Sequence, residues 1–178
     1  MNDKQRAYKL LSILLQYPEQ VGDIKPIQKE VYLLLNIQVK ELLQSFLNHY
    51  SSQDNGQISS DYINLFDFNA NTTLYLTYPE FSESLERGAA LLNIKRELHS
   101  AGYNIKINEL PDYLPLLLEF ASLDLDNVAD RLLTQYSNAI IKLNNELKAV
   151  DSPYHFLIEA IIVLIEESHQ EDLKGGVL

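Results

Sequence analysis

Apolar positions recur every three to four residues along almost the whole chain, the spacing of helices that bury one face. Ala7, Leu10, Leu11 and Leu14 form the first stripe, on a helix expected to begin after Asp3 and to be closed by Pro18 and Gly22. Pro26 suits a first helical turn and leads into Ile27, Val31, Leu34 and Leu35. Val39, Leu42, Leu43, Phe46, Leu47 and Tyr50 make the cleanest stripe. Residues 51–57 are polar and read as a loop. Tyr62, Ile63, Leu65 and Phe66 then predict a short helix capped near Ser59 or Ser60. Residues 83–100 predict a helix with Leu85, Ala89, Leu92 and Leu98 facing inward, and Gly102 fits just past its end. Residues 103–111 read as a loop before a helix from Asp112 to about Leu123. Two long helices fill the last third. One spans residues 126–150, with Val128, Leu132, Leu133, Tyr136, Ile140, Leu143 and Leu147 in its stripe. Ser152-Pro153 opens the other, which carries Leu157, Ile158, Ile161, Ile162 and Ile165.

One stretch breaks the pattern. Thr72-Thr73-Leu74-Tyr75-Leu76-Thr77-Tyr78 has β propensity, but no partner strand is evident, so a helical turn or an extended connector is expected. No internal repeat or long linker divides the chain. The expectation is an all-α, single-domain helical bundle over residues 1–170, with residues 171–178 as a loose tail. Composition agrees: 32 Leu stand against 7 Val and 4 Thr, favouring helix over strand. A chain of 178 residues buries roughly 70% of its unfolded surface and needs no staples.

Charge and cysteine usage narrow the function. The chain has no Cys, which excludes disulfides, thiolate nucleophiles and Cys-ligated metals. Net charge is −11, which argues against non-specific nucleic-acid binding. The excess is uneven: residues 107–172 hold 13 acids against 3 bases, a field suited either to solubility or to a basic partner. The N-terminal Lys4, Arg6 and Lys9 precede an apolar stretch interrupted by Ser12, with no small-residue cleavage site after it. It reads as an amphipathic first helix rather than a signal peptide. The apolar run Ala160 to Ile165 is far short of the roughly 20 residues that span a bilayer. The expected compartment is the cytoplasm.

Catalytic signatures are missing. His49, His99, His155 and His169 form no HExxH pair, and neither a phosphate loop nor GxSxG occurs. His155 and Glu159 share a helix face, and His169 lies among Glu166, Glu167, Glu171 and Asp172, which reads as a solvated acidic helix end. Glu109, Asp112 and Glu119 cluster in sequence but read better as loop, helix cap and helix positions than as an acid–base set.

The informative segment is Glu109-Leu110-Pro111-Asp112-Tyr113-Leu114-Pro115, followed by Leu118-Glu119-Phe120. Pro111 biases Leu110 to extended backbone, and Pro115 falls in a first helical turn where its missing N–H costs little. Asp112 is placed to cap that helix. The result is a rigid loop-to-helix junction, a good place for a binding site.

This segment resembles the E-L-P-D-H-L-P signature of the nitrate reductase molybdenum cofactor assembly chaperones (the NarJ type), within the wider TorD-like redox-enzyme maturation chaperones. Three further matches precede it in the family's order. Tyr62-x3-Phe66-Asp67 resembles Y-x3-F-D, Thr72-Thr73-Leu74-Tyr75-Leu76 resembles T-S-L-x-L, and Ser84-x2-Arg87-Gly88 resembles S-x2-R-G. Two positions depart: Phe81-Ser82 stand where the family commonly has His-Gly, and Tyr113 stands where the signature carries His. Tyr113 keeps an aromatic face and a hydrogen-bonding tip.

The resemblance implies a TorD-like helical fold and a cytoplasmic chaperone rather than an enzyme. Its partner would be the N-terminal segment of the respiratory nitrate reductase alpha subunit, often basic and helix-prone. It would hold the apo-subunit competent for molybdenum cofactor insertion and delay its docking to the membrane subunit. The cofactor would belong to the client, and molybdenum cofactor biosynthesis proteins would be further contacts. Asp112, Tyr113, Leu114 and Pro115 are the expected recognition loop, with Glu109, Arg87 and Gly88 nearby. Tyr62, Phe66 and Tyr75 are expected as groove walls or core, Asp67 as a cap or anchor, and Arg87 equally as a structural partner of a carboxylate. Asp112→Ala is expected to weaken client binding more than stability. The alternatives are a chaperone of another molybdoenzyme, a helical peptide-binding adaptor, or a small hydrolase or nucleotide-using enzyme built on the acidic cluster, for which no phosphate loop speaks.

Overall fold

The computed structural model describes residues 1–105, 109–123 and 127–175. Among them the chain is all α: α1 (Asp3–Leu14), α2 (Pro18–Val21), α3 (Lys25–Tyr32), α4 (Ile37–Ser51), α5 (Asn55–Phe66), α6 (Tyr78–Phe81), α7 (Leu85–Ser100), α8 (Leu114–Leu123), α9 (Val128–Gln135), α10 (Ser137–Ala149) and α11 (His155–Gly175). A 3₁₀ turn, Ala70–Thr72, sits between α5 and α6.

The centre is α11. Leu157, Ile158, Ala160, Ile161, Leu164 and Ile165 are all buried, so this helix is apolar nearly all round and must lie inside. It packs against α4, α10, α1 and α9. Each such Leu or Ile contributes about 1.5–3 kcal/mol by leaving water. The helix α1 begins with a capping box between Asn2 and Gln5 and lies along α8. The buried Ser12 hydroxyl donates to the Pro115 carbonyl at 2.9 Å, and Lys9 pairs with Glu119 at 2.9 Å. Asp130 ties α1 to α9, accepting from the Lys4 ammonium at 2.8 Å and the Tyr8 hydroxyl at 2.5 Å.

Several expected boundaries move. Asp3 lies inside α1, and its carboxylate accepts from the Leu35 and Asn36 N–H groups, fixing the turn into α4. Asp54, not Ser59 or Ser60, caps α5, so most of the expected polar loop is helical. The long helix over 126–150 is two helices broken at Tyr136, where α9 packs on α8 and α10 turns to α11. Residue 126 lies outside the described residues, as do 106–108 of the expected loop. In α7 the inward residues are Ile94 and Leu98, whereas Leu85 is 94% exposed, Leu92 half exposed and Ala89 exposed. That segment is apolar on several faces, so periodicity alone did not choose among them. The expected loose tail is helical backbone as far as Gly175, and residues 176–178 lie outside the described residues.

Candidate functional site

The segment 72–78 does find a partner. After the 3₁₀ turn it runs extended and pairs with the chain just before α8, with Tyr75 opposite Tyr113 in an isolated antiparallel bridge. The Leu76 N–H donates to the Asp112 carbonyl at 3.1 Å and the Leu114 N–H to the Leu74 carbonyl at 2.9 Å. These bonds flank the Tyr75–Tyr113 pair, which is the close, non-hydrogen-bonded type of antiparallel pairing. Side chains alternate accordingly: Leu74, Leu76, Asp112 and Leu114 point inward, while Tyr75 and Tyr113 share the half-buried face with ring centroids 5.3 Å apart.

Two of the family-like segments meet underneath. Asp112 is fully buried, and its Oδ2 accepts from the Thr77 N–H at 3.0 Å and the Thr77 hydroxyl at 2.6 Å. The same hydroxyl accepts from Arg87 Nε at 3.1 Å. Arg87 Nη2 lies 3.8 Å from Asp112 Oδ2, and its guanidinium sits 5.2 Å over the Tyr78 ring. One threonine hydroxyl therefore couples the α8 start to α7. Asp112 does not cap α8 with its side chain, because the carboxylate is turned to Thr77 and its Oδ1 has no hydrogen-bond partner. The Tyr113 carbonyl instead receives the Leu116 and Leu117 N–H groups. Leu114 and Pro115 are buried behind it.

The solvent-facing part is a patch of phenols and carboxylates. The Tyr75 hydroxyl donates to Glu109 Oε1 at 2.9 Å, and the Leu110 N–H donates to the same oxygen. The Tyr113 hydroxyl lies 3.4 Å from that of Tyr62, which donates to the Leu15 carbonyl at 2.8 Å. Tyr17 stacks on Tyr62 at 4.8 Å and donates to Asp67 at 2.6 Å, so Asp67 is an anchor. The bond to Asp67 pushes the Tyr17 hydroxyl up to about 12. Burial, then Glu109, pushes Tyr75 up, and burial pushes Tyr113 up. All three stay neutral phenols near neutral pH, able to donate and accept hydrogen bonds but not to switch charge.

Of the expected site residues, the structure brings Tyr75, Tyr113 and Glu109 to one surface. It puts Asp112 and Arg87 directly beneath. Tyr62 and Phe66 are core, stacked on each other and on Tyr154. Gly88 stands on the exposed side of α7, and a Cβ built there meets no atom within 4 Å. Sequence reasoning missed Thr77 and Tyr17. The alternation of Leu74, Tyr75 and Leu76 was the available signal for the first. Of the groupings noted in the sequence, His155 Nδ1 lies 3.7 Å from Glu159 on their shared helix face, while Glu109 and Glu119 are engaged by Tyr75 and Lys9. Glu159 pairs with Lys148 at 2.7 Å, and among the described residues no group of three or more His, Asp or Glu could hold a metal ion. The side chain of His169 lies outside the described residues. Among the described residues no helix is long and apolar enough to cross a membrane.

Residues 35–159 match the family described as nitrate reductase delta subunit. The chain is 32% identical over 181 residues to the probable nitrate reductase molybdenum cofactor assembly chaperone NarJ of Bacillus subtilis (strain 168), covering 98% of this chain and 97% of that one. It is 27% identical to the probable chaperone of the same description, NarW, of Escherichia coli (strain K12), over 92% of this chain and 70% of that one. It is 26% identical to NarJ of Escherichia coli (strain K12), over 92% of this chain and 71% of that one.

Proposed function

We propose, from the premise that this chain belongs to the nitrate reductase delta subunit family, that it is a nitrate reductase molybdenum cofactor assembly chaperone acting on the N-terminal segment of the alpha subunit. It is a binding protein and not a catalyst, as the names of its relatives have it. In this reading it holds the apo-subunit competent for cofactor insertion before membrane docking, and the molybdenum cofactor is the client's.

The observation that carries the reading is the half-exposed face of Tyr75, Tyr113 and Glu109, braced from below by Asp112, Thr77 and Arg87. Aromatic rings with hydroxyl tips offer apolar area and hydrogen bonds at low entropic cost, the qualities of an interaction hot spot. Glu109 and Asp67 make the face acidic, which suits a basic helix-prone peptide. Asp112 is too deeply buried to touch a peptide in this conformation and acts by holding the two tyrosine-bearing segments in register.

Calorimetric titration with the alpha-subunit N-terminal peptide, beside a scrambled peptide and at two salt concentrations, tests this. Saturable binding of the native peptide alone, weakened by salt and at least tenfold by Tyr113→Ala, is expected. Equal binding of both peptides would point to a general peptide adaptor. Binding of neither would point to another client.

A further inference from the structure

The face of α3 turned to solvent carries a pattern that client binding does not use. Lys25, Gln28, Lys29, Tyr32 and Leu33 recur at helical spacing and line one shallow hollow, with no Asp or Glu among the described residues that line it. The opposite face holds Ile27 and Val31 in the core, so the outer apolar residues are not needed for packing. Beyond Leu33, the turn into α4 pushes out two more. Leu35 is 81% exposed and Ile37 69%, and Tyr32 before them is 72% exposed. The Lys40 ammonium, on α4, lies 5.4 Å over the Tyr32 ring and joins the two helices at this edge. Asp3 holds the turn through the Leu35 and Asn36 N–H groups, so the projecting side chains stand on a fixed backbone. An exposed apolar cluster of this kind marks a contact surface.

Its charge is opposite to that of the chain. Residues 24–40 carry three Lys against one acid, while the whole chain stands at −11. That acid, Glu30, lies on the flank toward α1, 3.8 Å from Arg6. Around the turn, Asn36 Nδ2 donates to the Glu167 carboxylate at 2.7 Å, and Glu41 is exposed one residue past Lys40. The hollow has a single wall, because all five residues that line it belong to α3 and the residue that ends it. A groove that encloses a peptide needs a second wall. A cationic helix face with apolar side chains projecting from its end fits instead a flat, deformable, anionic surface.

We propose that this face binds the headgroup region of an anionic lipid bilayer, with Lys25, Lys29 and Lys40 on lipid phosphates and Leu33, Leu35 and Ile37 inserted between headgroups. Tyr32 stands at the boundary, its ring among apolar groups and its hydroxyl in water. The contact is peripheral and reversible, and it is independent of the client-binding reading above. The net charge of −11 opposes approach to such a surface. Neither the lysines nor the apolar tip therefore suffices alone, and loss of either set releases the chain.

The chain has no Trp, so Leu35→Trp places a single emission reporter at the tip. Leu85→Trp, at the exposed start of α7, is its control. Each full-length variant is titrated with vesicles of equal parts phosphatidylglycerol and phosphatidylcholine, and with phosphatidylcholine alone, at low and high salt. The expected result is a saturable blue shift of Leu35→Trp on the anionic vesicles only, weakened at least tenfold by high salt, and no shift of Leu85→Trp. Flotation of the native chain with the anionic vesicles is expected to fall at least tenfold in Lys25→Gln/Lys29→Gln and in Leu35→Ser/Ile37→Ser. The melting temperature of both variants is expected to stay unchanged, since all four side chains are exposed. Equal shifts of the two reporters, equal binding to the neutral vesicles, or no shift at either salt would each overturn the proposal. If the vesicles fail and the same substitutions instead weaken binding of the apo-alpha subunit, the face is a protein contact and the lipid assignment falls.

Discussion

At the scale of single residues, Thr77 matters more than its size suggests. Its hydroxyl donates to Asp112 and accepts from Arg87, and both partners are largely out of solvent. Thr77→Val keeps the shape and leaves Asp112 short of a donor. Its expected cost is about 1–3 kcal/mol in urea unfolding. The same logic revises the expectation for Asp112→Ala, which should lower stability as well as client binding. Gly88 behaves oppositely. It lies within α7, and a Cβ there meets no atom within 4 Å. Gly88→Ala should raise stability by about 0.5–1 kcal/mol. It should also weaken the client peptide if a partner backbone comes close at this point; unchanged affinity would remove Gly88 from the recognition surface. His155 gives a pH signature. Burial first, then Lys148, lowers its pKa, so the folded chain binds this proton less readily than the unfolded chain. Protonation therefore favours unfolding, and the contribution is lost as pH falls through the unfolded value of about 6.5. Stability measured at pH 7.5 and at pH 5.5 should differ less in His155→Gln than in the native chain.

At the scale of elements, helix positions were legible and helix partners were not. α4 followed its stripe closely because Val39, Leu43, Phe46 and Leu47 all face one core. α9 and α10 present a stripe that runs on through Tyr136, yet the chain turns there to serve two different neighbours. The segment 72–78 shows the same limit. Its β propensity was real, but its pairing partner was a loop-to-helix junction some 38 residues away that no local pattern marks as a strand. The central helix makes the strongest prediction here. Leu157→Ala, at a position with no exposure, should cost about 2–5 kcal/mol by thermal or urea unfolding, depending on how far α4 and α10 close the gap.

At the scale of the whole molecule, the net charge of −11 and the pI near 4.7 set a field that favours basic partners. The sequence by itself determined the all-α class, because Leu-rich 3.6-residue periodicity can be satisfied only by helices that share a core. It also carried the family, because Tyr62, Phe66, Asp67, Thr72, Arg87, Gly88 and the Glu109–Pro115 segment keep their order and spacing along the chain. What only the tertiary structure decided was how these residues divide. Arg87 and Asp112 are 25 positions apart, yet one hydroxyl couples them, turning an expected recognition contact into a buried brace. Tyr75 and Tyr113 became one surface because antiparallel pairing puts opposed residues on the same face. Periodicity reports which residues leave water. Which of them then meet depends on chain reversals whose geometry is settled by non-local packing.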